Sequence, residues 1–165
     1  MKKLLIVAVF VAGSFAGMAQ KSDAGIQGFK VAGGIDLAIP ANNMGGTSIG
    51  AGVDLLGQYG VSENFGITVD AGYTALFLKG GGNTEGLIPI RAGIRYYPSS
   101  QWYVGGKAGI GILTGGGSSL TTTAYSFGGG YMISPKLDLG ATYDGYSKSG
   151  SFGLVNVRLG YFFGN

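Results

Sequence analysis

Ten charged residues stand at alternate positions of otherwise small or apolar stretches: Lys30, Asp36, Asp54, Asp70, Arg91, Arg95, Lys107, Asp138, Asp144 and Arg158. They are five acids and five bases. Side chains so spaced could do acid–base catalysis as carboxylate pairs, or they could pair with one another. Catalysis is the poorer reading. The chain has no His and no Cys, so His-dependent bases and dyads are missing, and so are His- or Cys-based metal sites. Glu85 is the only acid expected in a loop on the outer side, which leaves no carboxylate pair there. The stretches "GGGNTEG" and "GGGSS" look like phosphate loops but lack the Lys-Ser/Thr ending and the following helix, and are expected to be hairpin tips. No catalytic, cofactor-binding or metal-binding residue is assigned, and no enzyme activity is expected. Buried charges must be paired to be tolerated, so the balanced set is expected to form an interior ion-pair network, with Asp70 and Arg91 as its direct cross-strand pair. A polar conduction path is the alternative use of the same residues.

The elements that would hold these charges are strands. In "FKVAGGIDLAI" the odd positions carry Phe29, Val31, Ile35, Leu37 and Ile39, and the even ones carry Lys30, Ala32, Gly34, Asp36 and Ala38. Successive strand residues point to opposite faces. The same two-residue alternation recurs at about 48–60, 65–78, 87–97, 102–113, 121–133, 137–145 and 152–163, giving eight strands. Three connections align as a repeat: "YGVSENFGI" from Tyr59, "YYPSSQWYV" from Tyr96 and "YMISPKLDL" from Tyr131. Each has a Ser three residues after the Tyr and an apolar residue three after the Ser. Between these tight turns lie "PANNMGGT", "KGGGNTEG", "TGGGSS" and "SKSGS", read as looser loops of about five to eight residues. Eight antiparallel strands with that asymmetry fit an up-and-down barrel.

Which face looks inward decides the compartment. The polar face is mostly Gly, Ala, Thr and Ser with no Glu on any strand, unlike a soluble surface, which is about 25–35% charged. Small residues suit the cramped interior of an eight-stranded barrel, which side chains just fill. The apolar face carries aromatics at its tight-turn end: Phe29, Tyr59, Phe65, Tyr96, Trp102, Tyr131, Tyr161 and Phe163. Tyr and Trp favour a membrane–water interface, so these eight form an expected periplasmic belt. A looser second belt is expected from Phe77, Tyr125, Tyr143 and Phe152. The reading is therefore an all-β, eight-stranded, antiparallel, up-and-down transmembrane barrel. A soluble lipocalin-like binder, with the aromatics inside around a ligand, is the alternative.

The first residues, "MKKLLIVAVFVAGSFAGMAQ", have the form of a secretory signal: Lys2 and Lys3, an apolar run from Leu4 to Ala12, and Gly17 and Ala19 before the cut. This leaves residues 20–165 as a barrel domain. Without Lys2 and Lys3 the chain has nine basic residues against eight acidic ones. No basic patch calls for nucleic acid. Glycine is the compositional outlier, 35 of 165 residues, without the period of a collagen.

The strand count, the "YGVSENF"-type turns and the closing "VRLGYFF" make residues 26–163 resemble the small eight-stranded outer-membrane barrels of Gram-negative bacteria, of the OmpX and OmpA-transmembrane-domain type. The resemblance implies an outer-membrane location, with both termini and the three tight turns in the periplasm and the four Gly-rich loops outside. It implies a last strand whose alternating aromatics, here Tyr161 and Phe163, are read by the barrel-insertion machinery. Many relatives stop at that aromatic, whereas this chain runs on through Gly164 and Asn165. The implied partners are outer-membrane lipid, the insertion machinery and an extracellular partner of unknown identity. The implied role is structural or surface-interacting, with a lumen that side chains fill. A narrow small-solute channel is the competing role.

Overall fold

The computed structural model describes residues 28–42, 44, 46–80, 84–148 and 150–163. The proposed signal segment lies outside the described residues. Eight strands follow in order: β1 Gly28–Asn42, β2 Thr47–Gly60, β3 Phe65–Leu78, β4 Glu85–Tyr96, β5 Trp102–Gly115, β6 Ser118–Ser134, β7 Leu137–Ser147 and β8 Ser151–Phe163. Each pairs antiparallel with its neighbour, and β8 pairs with β1, so the sheet closes into a barrel without a free edge. No helix among the described residues is long and apolar enough to cross a membrane, a statement that does not bear on strands.

Parity sets the faces. Ile35, Val53, Val69, Ile94, Val104, Phe127 and Phe163 are exposed on the outside, while their chain neighbours within the strands are buried or half-buried. The repeated turns have a common physical cause. Ser62, Ser99 and Ser134 each accept a hydrogen bond at Oγ from the backbone N–H three residues on, at Phe65 (3.1 Å), Trp102 (3.2 Å) and Leu137 (3.1 Å). The Ser thus satisfies an amide where the ladder begins, and the apolar residue starts the next strand facing out.

Three expectations need correction. The two ends of the barrel are not asymmetric in loop length. Four, five and two residues separate the strands at the end with the repeated turns, against four, six, two and three at the other. The Gly-rich stretches lend their flanks to the strands; in "TGGGSS" only Gly116 and Gly117 remain as a turn, both with positive φ, at 57° and 80°. Glu85 is not a loop residue but opens β4, opposite Leu76. Phe152 is not on the outer face. Its even parity in β8 turns it into the lumen, where it stacks on buried Tyr146 at 4.9 Å.

The lumen is layered. Toward the Gly-rich loops, Leu76, Leu87, Ala124, Tyr146 and Leu154 pack into one buried cluster, with Leu113 and Phe152 against it. Toward the termini, Ala32, Leu56 and Phe162 form a second cluster with Met132. The charges lie between.

Candidate functional site

Register explains how so many charges fit. Nine cross-strand pairings set a charged residue opposite a glycine: Gly34 and Gly72 flank Asp54, Gly66 and Gly105 flank Arg95, Gly52 faces Asp36, Gly93 faces Lys107, Gly109 faces Arg91, Gly160 faces Asp138 and Gly140 faces Arg158. A side chain on Gly34 would sit 2.1 Å from Asp54 Oδ1 and 2.7 Å from Arg158 Nε, in the space those groups occupy.

The charges fall into two linked groups. In the first, Arg91 lies opposite Asp70 in the β3–β4 register and donates to its Oδ2 through Nε (3.1 Å) and Nη2 (2.9 Å). Its Nη1 donates across the lumen to Asp144 Oδ2. Asp144 also accepts from Thr142 Oγ1 (2.9 Å) and Asn156 Nδ2 (2.6 Å), and Lys107 Nζ reaches Asp70 Oδ1 at 2.9 Å. In the second, Arg158 Nε donates to Asp54 Oδ1 and its Nη1 to Asp138 Oδ1, both at 2.9 Å. Arg95 approaches Asp138 at 3.8 Å and stacks over the Tyr103 ring at 4.2 Å. Tyr103 donates its hydroxyl to Asp138 Oδ2 (2.6 Å) and Tyr97 donates to Gln58 Oε1 (2.8 Å).

Asp54 pairs with Arg158 and so belongs to the second group. Asp36 faces the lumen opposite Arg158 but forms no ion pair among the described residues. Lys30 lies nearer the terminal end, opposite Gln58. Sequence reading missed Tyr97, Tyr103 and Tyr146, all buried. The signal was present, since each lies one residue out of phase with the lipid-facing parity of its strand. Asp70, Asp138 and Asp144 are at most 2% exposed, so this layer is interior packing with every one of those carboxylates bound to a cation. Among the described residues no group of His, Cys, Asp or Glu has the arrangement of a metal site. The space left within the charged layer is a cavity of about 50 Å³.

On the outside, Tyr59, Phe65, Tyr96, Trp102, Tyr161 and Phe163 are exposed, while Phe29 and Tyr131 are half-buried. They meet in cross-strand pairs, Phe65 with Tyr96 at 4.8 Å and Trp102 with Tyr131 at 4.9 Å. Of the second belt, Phe77 and Tyr125 are exposed, and Tyr143 is half-buried and donates its hydroxyl to Asn42 Oδ1.

Among solved structures the chain is similar in fold to the attachment invasion locus protein Ail of Yersinia pestis, with 17% identity and a TM-score of 0.59, covering 82% of this chain and 97% of that one. It is similar to Neisserial surface protein A, with 18% identity and a TM-score of 0.56 over 82% and 97% of the two chains. The N-terminal barrel of Pseudomonas aeruginosa OprF matches at 13% identity and a TM-score of 0.61, over 83% and 98%. No curated protein sequence matches significantly. The model of the outer membrane protein beta-barrel domain matches residues 6–163. With a closed eight-stranded barrel, an apolar exterior and a charged, glycine-spaced interior, the chain belongs to the outer membrane protein beta-barrel domain family.

Proposed function

We propose that this chain is an integral protein of the outer membrane of a Gram-negative bacterium. In this reading, residues 1–19 are removed on export, the role is structural or surface-interacting, and the lumen does not conduct. One observation carries the reading: the interior is a paired ionic layer between two apolar plugs, with a cavity of about 50 Å³ left over. A hydrated ion needs a continuous path, and the buried Leu76, Leu87 and Leu154 at one end and Leu56 and Phe162 at the other support a closed lumen. The exterior supports the lipid setting, since a continuous apolar band ringed by Tyr, Phe and Trp is what a bilayer solvates. The chain has no role in catalysis on this reading. The partners are outer-membrane lipid, the insertion machinery reading Tyr161 and Phe163 on the outer face of β8, and a surface partner of unassigned chemistry. Similarity to a protein named for attachment and invasion is compatible with surface contact.

The test is direct. Purified protein, refolded in detergent, should migrate differently on a gel with and without boiling, and should give no steady conductance in a planar bilayer. Reproducible open steps would overturn the closed lumen. Stability in buffer without detergent, with no mobility shift, would overturn the membrane reading.

A further inference from the structure

Among the described residues, the wall of the barrel has one interruption away from the strand ends. Along β3 and β4 the paired residues run to Ala71 opposite Ile90 and resume at Thr74 opposite Leu87, so Gly72 and Tyr73 pass Pro89 and Ile88 without pairing. On its other side β4 is continuous, with Pro89 opposite Gly111. The other irregularities, at Pro40–Asn42, Thr47–Ile49 and Met132–Ser134, lie at strand ends. The cause is Pro89 itself, which has no N–H to donate toward β3. Proline is normally confined to strand ends, edges and bulges for that reason, and here it stands near the middle of a strand with neighbours on both sides.

A barrel wall in lipid must satisfy its backbone polar groups internally, because the bilayer core offers no water. At this seam the only polar solvent is on the inner side. The central cavity is lined by Gly72, Thr74 and Pro89 from the seam, and by Asp54, Asn156 and Arg158 from the charged layer. Within that layer, Asn156 Oδ1 and Arg158 Nη2 are buried with no protein hydrogen bond. A cavity of this size has room for about one or two waters. Val53 and Ile94, whose side chains are exposed to the outside, are also among its lining residues.

We propose that the seam at Gly72 and Pro89 is a built-in opening point of the barrel wall, where water from the central cavity stands in for missing ladder bonds and the strands part first. The seam puts the β3–β4 ladder in contact with the same central cavity that the charged layer lines. It also makes β3–β4 the least protected junction at mid-wall, although β2–β3 and β4–β5 are paired without a break at that level.

Amide hydrogen exchange on the full barrel in lipid nanodiscs tests this. The amides that face the seam, those of Gly72, Thr74 and Leu87, should exchange at least about tenfold faster than their register neighbours, residues 53–54 of β2 and 111–112 of β5, roughly the loss of one ladder bond. Pro89→Val restores a donor and should bring Gly72 and Thr74 down to the neighbours' rate. Equal protection in the unsubstituted protein overturns the proposal, as does a folded Pro89→Val variant in which the seam still exchanges fast. If Pro89→Val does not fold, the comparison within the unsubstituted protein decides.

Discussion

Arg91 is held by two carboxylates from strands on different sides of the lumen, Asp70 and Asp144. Its removal would leave two buried anions with fewer partners, whereas removal of Asp70 leaves Arg91 with Asp144 and strands Lys107. Truncating one member of a buried pair costs about 3–5 kcal/mol, because the other stays buried. In a double-mutant cycle, Asp70→Ala and Arg91→Ala should therefore each destabilise strongly. The double variant should lose less than the sum, by about 1–3 kcal/mol. Denaturant titration of the refolded barrel measures this, and strict additivity would show that the two do not interact. The glycines opposite the charges are as constrained as the charges. At Gly34 an added methyl meets the Asp54 carboxylate and the Arg158 guanidinium together. Gly34→Ala should cost about 1–3 kcal/mol, despite alanine's better fit to a strand. If Gly34→Ala matches the parent in urea midpoint, the Arg158–Asp54 contact does not depend on that space.

The strands share a second device, on the lipid side. Rings lie over outward glycines of a neighbouring strand: Tyr125 over Gly145, Tyr143 over Gly153, Tyr73 over Gly86 and Phe163 over Gly33. A ring covering a bare backbone shields its hydrogen bonds and pins register, since a one-residue slip would point the ring inward. A methyl on Gly145 would fall 2.1 Å from Tyr125 Cζ. Gly145→Ala alone should therefore destabilise by about 1 kcal/mol, while in a Tyr125→Ala background it should be neutral or stabilising. The same sign in both backgrounds would remove the ring–glycine joint. Strand count, parity, and the Asp70–Arg91 register were legible because period-two patterning repeats eight times and each face has one solvent. Phe152 was misread because an aromatic at a loop end was grouped by height, while its even position already turned it inward. Tyr97, Tyr103 and Tyr146 were passed over because aromatic residues inside a barrel break the rule of a small, polar lumen. Tyr103 and Tyr146 are allowed here by the glycines beneath them; Gly130 and Gly140 lie under the Tyr103 ring and Gly111 under Tyr146. Loop length was overestimated because glycine runs read as turns, yet most of their flanks pair.

At the scale of the whole barrel, inside and outside are inverted relative to a soluble protein. The inside is apolar at both ends and ionic in the middle, and the outside is apolar in the middle and aromatic toward the turns. That inversion makes lipid part of the fold, because Ile35, Val53, Leu55, Ile94, Trp102 and Phe127 are all more than half exposed and nothing among the described residues covers them. It also fixes a depth. Trp102 is the single Trp of the chain, 57% exposed beside Tyr131 and three residues from the Ser99 turn. An indole at this position has its ring in the apolar band and its N–H within reach of headgroups. On refolding into vesicles its emission should shift to the blue. Lipids brominated near the glycerol should quench it more than lipids brominated near the chain ends. A Trp placed at Val69 or Ile110 near mid-wall, in a Trp102→Phe background, should show the reverse order. If Trp102 were quenched best by deep bromines, the aromatic ring would not mark the membrane boundary, and the barrel would sit in the bilayer at another height or tilt.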